Sequence, residues 1–407
     1  MDIYIIKCIE DFNSFSESDF LFRGTHIEIC ELLIIWRPFI SFAERISTMS
    51  QGFIDPPLQF KIMPLVQPNP SNEPIDRELI RHLCESGLSE CPAEDRCLAW
   101  LVLLNVYPKF AIEWPEKRDK LIQTYMAFVH DYGLDDWPKR FFTGTVRRDD
   151  LGVKNGKLML TIYSDISRSG RQFFFFPPEE PPEGAPDNSL SHFIVHMRRL
   201  ERILYVFGSL NASLSYMQGF NELVSPLYFA MVSSRQLFDD DLDCVEAISF
   251  HCLQELITGT KIQEFYMTQD ESSIIYHKMG DFQKVLDKNL PNVSKILEFH
   301  DIHPLQYAYK CLNLLFAQEH PMPTILIIWD ALFAHIEDLM DYCYYVEVSR
   351  IAEGSHKLSY EDFASTVQYV QNIDIPNIYV VLRRANKMYM QDKKPNVIEM
   401  LRKAFHP

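Results

Sequence analysis

An all-α fold is what this sequence predicts, on three observations. Apolar side chains recur at helical spacing over most of the chain from Leu79 onward. Only 14 of the 407 residues are glycine, too few for a turn-rich β-sandwich or a glycine-loop nucleotide enzyme. Apart from the short, ambiguous stretch Leu158–Tyr163, no alternating run longer than a few residues stands out. With 47% hydrophobic and 23% charged residues, the chain has the balance of a soluble globular protein large enough for one extended or two compact cores. Its 29 Phe and 19 Tyr supply large apolar areas to bury.

Taken in order, residues 1 to about 62 form an irregular, aromatic-rich segment, and Pro64–Pro74 follows as a proline-punctuated linker. A boundary is expected there. Residues 1–75 read as an N-terminal extension with its Pro-rich linker, residues 76–355 as the main helical domain, and residues 356–407 as helices completing it. Leu79, Ile80, Leu83 and Cys84 open the helical pattern, Leu98, Leu101, Val102 and Val106 continue it after Gly87, and Leu121 to Val129 extends it. Between Asp149 and Asn188 the period is lost and the stretch ends in Pro177-Pro178-Glu179-Glu180-Pro181-Pro182, which predicts a long irregular surface loop.

Beyond it, Phe193, Met197, Leu200, Leu204 and Phe207 form one stripe, and Phe220, Leu223, Val224, Leu227 and Tyr228 form another. Two adjacent helices joined through Asn211-Ala212-Ser213 are implied. Further helices are expected over Ile248–Ile257, Ile275–Leu286, Pro304–Gln318 and Pro323–His335, with Pro291, Pro304, Pro321 and Pro323 at or before helix starts.

The net charge of -17 sets the surface against nucleic-acid phosphates and anionic headgroups. Nine cysteines, scattered without a CxxC pair or a His at zinc-ligand spacing, read as reduced, mostly buried thiols of a cytoplasmic protein with no metal site. Residues 1–12 carry Asp2, Glu10 and Asp11 and do not resemble a signal peptide. The most apolar stretch, Ile27–Ala43, is broken by Glu28, Glu31, Arg37 and Pro38, so no membrane insertion is expected.

Two segments carry chemistry. In Ser215-Tyr216-Met217-Gln218-Gly219-Phe220-Asn221-Glu222-Leu223, Gln218 stands where a helix begins. Free backbone N–H groups and the positive dipole end suit a phosphate-bearing partner there, and Gly219 permits close approach. A satisfied polar helix start fits the same residues. In Ile162-Tyr163-Ser164-Asp165-Ile166-Ser167-Arg168, an arginine at the front of the expected loop can reach away from its own surface. Its planar fork suits the oxygens of a transferring phosphoryl group, with Asp165 holding it in register. A surface arginine paired with a turn aspartate fits equally. Trp329-Asp330-Ala331-Leu332-Phe333 reads as scaffold, with Trp329 and Phe333 one turn apart and Asp330 available for a structural hydrogen bond.

Together these segments resemble a known family. Tyr216-Met217-Gln218-Gly219 looks like the glutamine-finger motif of TBC domains, Ile162–Arg168 like their arginine-finger motif, and Trp329-Asp330-Ala331-Leu332-Phe333 like their third motif, in family order. Arg96–Pro108 and Arg202-Ile203-Leu204 with Asn211 extend the likeness over roughly Leu79–Arg350. The segment after Gln218 and Pro304–Lys310, with the acidic interruption after the arginine motif, are most similar to the branch called TBC family member thirteen.

The resemblance implies an all-α, multi-helix TBC domain with a long irregular loop between its two finger motifs, acting as a GTPase-activating protein for GTP-bound Rab-family small GTPases. Arg168 would stabilise charge on the phosphates and Gln218 would orient the attacking water, while Asp165, Tyr216, Gly219 and Asn221 support the fingers or the partner contact. No cofactor of its own is implied; Mg and GTP belong to the GTPase. Such a protein works in the cytoplasm and meets endomembranes transiently through its partner.

The chain departs from the family at Ala212, where Pro is frequent, at Ser215, where Gly is frequent, and at Phe220, where Met is common. Lys310-Cys311 stands where an Arg-Trp pair is usual. These changes alter the turn that aims Gln218 and the packing beneath it, and leave a second reading, a TBC-fold module that docks a GTPase with little activation.

Overall fold

The computed structural model describes residues 58–67, 73–266 and 271–393. The readings made for residues 1–57 lie outside them. Among the described residues the chain is built from helices and turns, without a strand.

Four helices precede the buried centre: α1 (Arg77–Cys84), α2 (Ala93–Leu103), α3 (Trp114–Asp131) and α4 (Gly156–Arg168). Their starts are locally encoded. The Asp76 carboxylate accepts from Leu79 N at 3.0 Å, and the Asn155 side chain accepts from Leu158 N at 3.1 Å, each satisfying an orphan donor of a first turn. The pair α5 (Ile194–Leu210) and α6 (Phe220–Val232) follows, then α7 (Leu242–Thr258). Every residue of α6 is buried, the polar Asn221, Glu222 and Ser225 included, and it forms the axis around which α2, α5 and α7 pack.

Charge also ties this centre together. Arg202 of α5 reaches the fully buried Glu246 of α7 through Nε at 2.6 Å and Nη2 at 2.7 Å, and Tyr125 of α3 donates to the same carboxylate at 2.5 Å. Arg199 adds bonds at 2.7 Å to both Glu246 and Asp243. The acids are shared rather than singly paired, which is what makes a buried cluster tolerable.

The C-terminal half holds α8 (Glu271–Asn289), α9 (Pro291–Phe299), the short α10 (Tyr309–Asn313), α11 (Met322–Ala334), α12 (Leu339–Glu353), α13 (Phe363–Gln371) and α14 (Ile378–Lys393). Pro291 occupies the first position of α9 and Pro321 the N-cap of α11, as the sequence suggests.

Two expectations need correction. The arginine motif does not lie on a loop: Met159, Ile162 and Ile166 are buried along one face of α4, and Arg168 is its last residue. Leu158–Tyr163 is therefore helical; half-buried Leu158 and Leu160 beside the core stripe mimic alternation. The irregular excursion is shorter than Asp149–Asn188 and begins after the helix, with a 3-10 turn over Gly170–Phe175. Nor is Pro304–Gln318 one helix. A 3-10 turn at Pro304–Gln306 and α10 are followed by Leu315 and Phe316 in the left-handed region, φ +49° and +65°.

The acidic proline run is strapped to the body. His196 Nε2 donates to Pro177 O at 2.7 Å, Glu179 N donates to His192 O at 2.9 Å, and the Glu179 carboxylate pairs with Arg235 at 2.8 Å. At the other end of the chain, residues assigned by sequence to the extension reach the core: Ile62 is fully buried, and Lys61 N and Met63 N both donate to Asp95 of α2, at 2.5 and 2.8 Å.

Candidate functional site

The C-terminus of α4 and the turn leading into α6 meet. Arg168 ends α4 with its side chain 68% exposed, and its Nη2 donates to Asp165 Oδ1, one helical turn back. Asp165 itself is buried. Its other oxygen accepts from the phenol of Tyr216 at 2.7 Å, so one carboxylate joins the arginine motif to the glutamine motif. Burial, then the hydrogen bond to Asp165, pushes the Tyr216 phenol well above its ordinary value. It remains a donor at neutral pH.

The turn that carries Gln218 is set by unusual backbone. Ser215 adopts φ +54° and donates its N–H to Asn211 O at 2.6 Å. Gly219, at φ +105°, caps α6, and a Cβ there would lie 2.7 Å from Leu314 Cδ2. The glycine is thus required by its conformation, while the methyl of Leu314 beneath it would have to shift for any larger residue. Sequence reasoning assigned it to close approach of a partner; the close approach observed is that of Leu314. Gln218 is exposed one residue before the cap, at the head of α6.

Asn221 points inward. Its Nδ2 donates to Ser169 Oγ at 2.8 Å and to Glu222 Oε1 at 3.0 Å. Tyr216 has one phenolic proton, so its 3.4 Å approach to Asn221 Oδ1 is secondary to the bond to Asp165. The structure therefore brings Asp165, Arg168, Tyr216 and Asn221 into one network, with Gln218 on the exposed turn above it.

Ser169, Gln172 and Glu222 complete that network and were not singled out by sequence. Glu222 accepts from Ser169 Oγ at 3.2 Å and from Gln172 Nε2 at 2.6 Å. An acid in the first turn of α6 reads from sequence as a favourable dipole partner, which hides its tertiary role. Ser169 and Gln172 carry no spacing signal.

Trp329 and Asp330 lie beneath. Trp329 Nε1 donates to Leu315 O at 2.9 Å, holding the left-handed turn next to Leu314 and hence next to Gly219. Asp330, fully buried, accepts from Leu88 N at 2.8 Å, Trp100 Nε1 at 2.8 Å and Arg96 Nε at 2.9 Å, pinning α2 and the turn that follows α1 to α11.

Residues 192–351 match the family model of the Rab-GTPase-TBC domain. That span is similar to a TBC domain. The matched span contains Gln218, Trp329 and Asp330, whereas Arg168 precedes it. Over 384 residues the chain is 24% identical to human TBC1 domain family member 13, covering 78% of this chain and 94% of that protein. It is 22% identical over 311 residues to mouse TBC1 domain family member 22A, covering 73% and 53% respectively. Among solved structures, the Ypt/Rab-GAP domain of Gyp1p superposes with a TM-score of 0.59 at 19% identity, covering 78% of this chain and 94% of that one. The Chlamydomonas flagellar RabGAP TBC domain gives 0.50 at 16% identity, covering 86% and 94%. The fold is the all-helical TBC fold.

The departures from the family pattern have local consequences. Phe220 is fully buried and meets Tyr266 edge-on at 4.9 Å and Phe207 at 5.7 Å, filling the core from the head of α6. Lys310 is largely exposed and pairs with Glu319 at 2.9 Å, while buried Cys311 lies 3.4 Å from Arg350. The described cysteines are unpaired, and all but Cys244 are buried. Among the described residues no His, Cys, Asp and Glu groups gather at a candidate metal site, and no helix is long and apolar enough to cross a membrane.

Proposed function

We propose that this chain is a GTPase-activating protein that stimulates GTP hydrolysis by a Rab-family small GTPase, with Arg168 and Gln218 entering the partner's nucleotide site. The observation that carries this reading is the pairing of an exposed arginine with an exposed glutamine on two elements joined below the surface through Asp165 and Tyr216. A planar, permanently charged guanidinium neutralises charge spreading over phosphoryl oxygens, and a carboxamide both donates to and accepts from an attacking water. Neither role uses a nucleotide site on this chain. Mg and GTP arrive with the partner, in related chemistry an arginine finger contributes about 10³–10⁵ in rate, and the encounter takes place in the cytoplasm or at endomembranes the GTPase visits.

The test is single-turnover GTP hydrolysis by a panel of GTP-loaded Rab proteins with the full chain added, alongside Arg168→Ala. Acceleration of at least one member, lost in the variant, supports the reading. Binding of a GTP-loaded partner without acceleration supports the docking module instead. The left-handed Ser215 beside Tyr216 is the feature that keeps that alternative in view.

A further inference from the structure

We propose that Glu222 is a positioning residue that fixes the register between Arg168 and Gln218, an inference resting on the activator reading above. Glu222 stands in the first turn of α6, four residues after Gln218, and is buried. An ionised carboxylate only accepts hydrogen bonds, and this one is met by donors alone. Gln172 Nε2, one 3-10 turn beyond Ser169, lies 2.6 Å away, and Ser169 Oγ, on the residue next to Arg168, lies 3.2 Å away, its single proton shared between Glu222 and Asp165 O at the same distance. From its own side Asn221 Nδ2 donates at 3.0 Å, and the same amide donates to Ser169 Oγ at 2.8 Å.

Glu222 thereby ties the exit from the arginine helix to the start of the glutamine helix. The Asp165–Tyr216 bond ties the same two elements from the other side of Arg168. Two separate bridges fix an orientation, where one bridge leaves a hinge. Gln172 Oε1 is buried without a hydrogen-bond partner. An amide at position 222 could engage that oxygen after a flip of Gln172, so the bridge tolerates Glu222→Gln but not Glu222→Ala.

The experiment compares Glu222→Ala, Glu222→Gln and Gln172→Ala in the full chain against the most responsive GTPase, with thermal unfolding followed in parallel. Loss of register of about an ångström costs on the order of 10²-fold. Glu222→Ala is expected to lower kcat by about that factor with KM unchanged, Gln172→Ala to lower it less, and Glu222→Gln to restore most of it. In an Arg168→Ala background the Glu222→Ala loss should largely vanish, because a misplaced finger costs nothing once it is absent. A second readout needs no GTPase: the Arg168 Nη–H resonance of the guanidinium nitrogen held by Asp165, in ¹⁵N-arginine-labelled protein, should exchange faster in Glu222→Ala and Gln172→Ala than in the parent or Glu222→Gln.

Full activity in folded Glu222→Ala, or an undiminished loss in the Arg168→Ala background, overturns the proposal, as does an unchanged Arg168 resonance. Should Glu222→Ala not fold, the same three outcomes are read from Gln172→Ala. If the parent protein accelerates no GTPase while the resonance responds as expected, the bridge stands and the activator reading falls.

Discussion

The phenol of Tyr216 donates to the buried carboxylate of Asp165 at 2.7 Å, across 51 residues of sequence, and the other oxygen of that carboxylate holds Arg168. Tyr216→Phe removes the donor and leaves Asp165 with an unpaired buried oxygen, at a cost of about 1–3 kcal/mol. The expected outcome is a lower unfolding midpoint and weaker stimulation of GTP hydrolysis, with affinity for the GTP-loaded partner less affected. A Tyr216→Phe protein that stimulates as well as the parent would show that Asp165 and Arg168 hold their geometry without it.

Ser215 is the neighbouring strain. At φ +54° a residue with a Cβ costs roughly 1 kcal/mol relative to glycine, partly offset by glycine's larger entropy in the unfolded chain. Ser215→Gly should therefore raise the urea midpoint slightly at an unchanged m-value and leave Gln218 aimed as it is. A lowered midpoint would mean that the serine hydroxyl contributes more than the backbone conformation costs.

Asp330 is the anchor of the scaffold. It is fully buried and serves Leu88 N, Trp100 Nε1 and the guanidinium of Arg96 together. Asp330→Asn turns a donor toward donors and leaves the Arg96 charge unpaired, so a loss of about 3–5 kcal/mol is expected from chemical denaturation. A loss below about 1 kcal/mol, the range of exposed pairs, would contradict the anchoring role.

How much of this could be read from the sequence depends on the range of the interactions involved. The stripes of α5 and α6 are local, period-3.6 signals and are visible in the chain, as are the prolines that open α9 and α11. The arginine motif is legible as a spacing, but its helix was hidden because Leu158 and Leu160 lie beside the buried stripe of Met159, Ile162 and Ile166. The break after α10 depends on left-handed Leu315 and Phe316, residues with no intrinsic preference for that region; Trp329 bonds Leu315 O from another helix. Asp165 is legible from its spacing to Arg168, Tyr216 and Asn221 through motif resemblance, whereas Ser169, Gln172 and Glu222 are recruited by three-dimensional proximity alone.

His196 gives the fold a pH dependence. It is fully buried, with Nε2 donating to Pro177 O and Nδ1 accepting from the Tyr228 hydroxyl at 2.9 Å, an arrangement that fixes the neutral tautomer. Burial lowers its pKa from 6.5 to about 4, with nearby Arg199 and Arg235 acting in the same direction. The unfolded chain therefore takes up the proton first. Stability from this group is full above pH 6.5 and is lost as pH falls through 6.5 toward 4, on the order of 1 kcal/mol per pKa unit. His335, lowered to about 4 by burial, adds to the same window. Unfolding free energy should decline between pH 6.5 and 4, and His196→Gln should flatten part of that slope; an equally steep slope in the variant would assign it elsewhere.

Gln218 offers the sharpest separation between activator and docking module. Its side chain is exposed on the turn ahead of a helix whose residues are all buried, so truncating it removes little packing and should leave the unfolding midpoint nearly unchanged. An interaction made only in the transition state lowers turnover without a matching loss of affinity. Gln218→Ala is therefore expected to bind the GTP-loaded GTPase about as tightly as the parent while accelerating hydrolysis far less, measured by titration and by single-turnover hydrolysis on the same preparations. A GTPase whose own catalytic glutamine is replaced by leucine should remain partly sensitive to the parent chain and insensitive to Gln218→Ala, because the water would be oriented by the glutamine supplied in trans. If affinity and rate fall by the same factor in Gln218→Ala, the residue is an ordinary contact, and the orientation of water must be assigned to the GTPase itself.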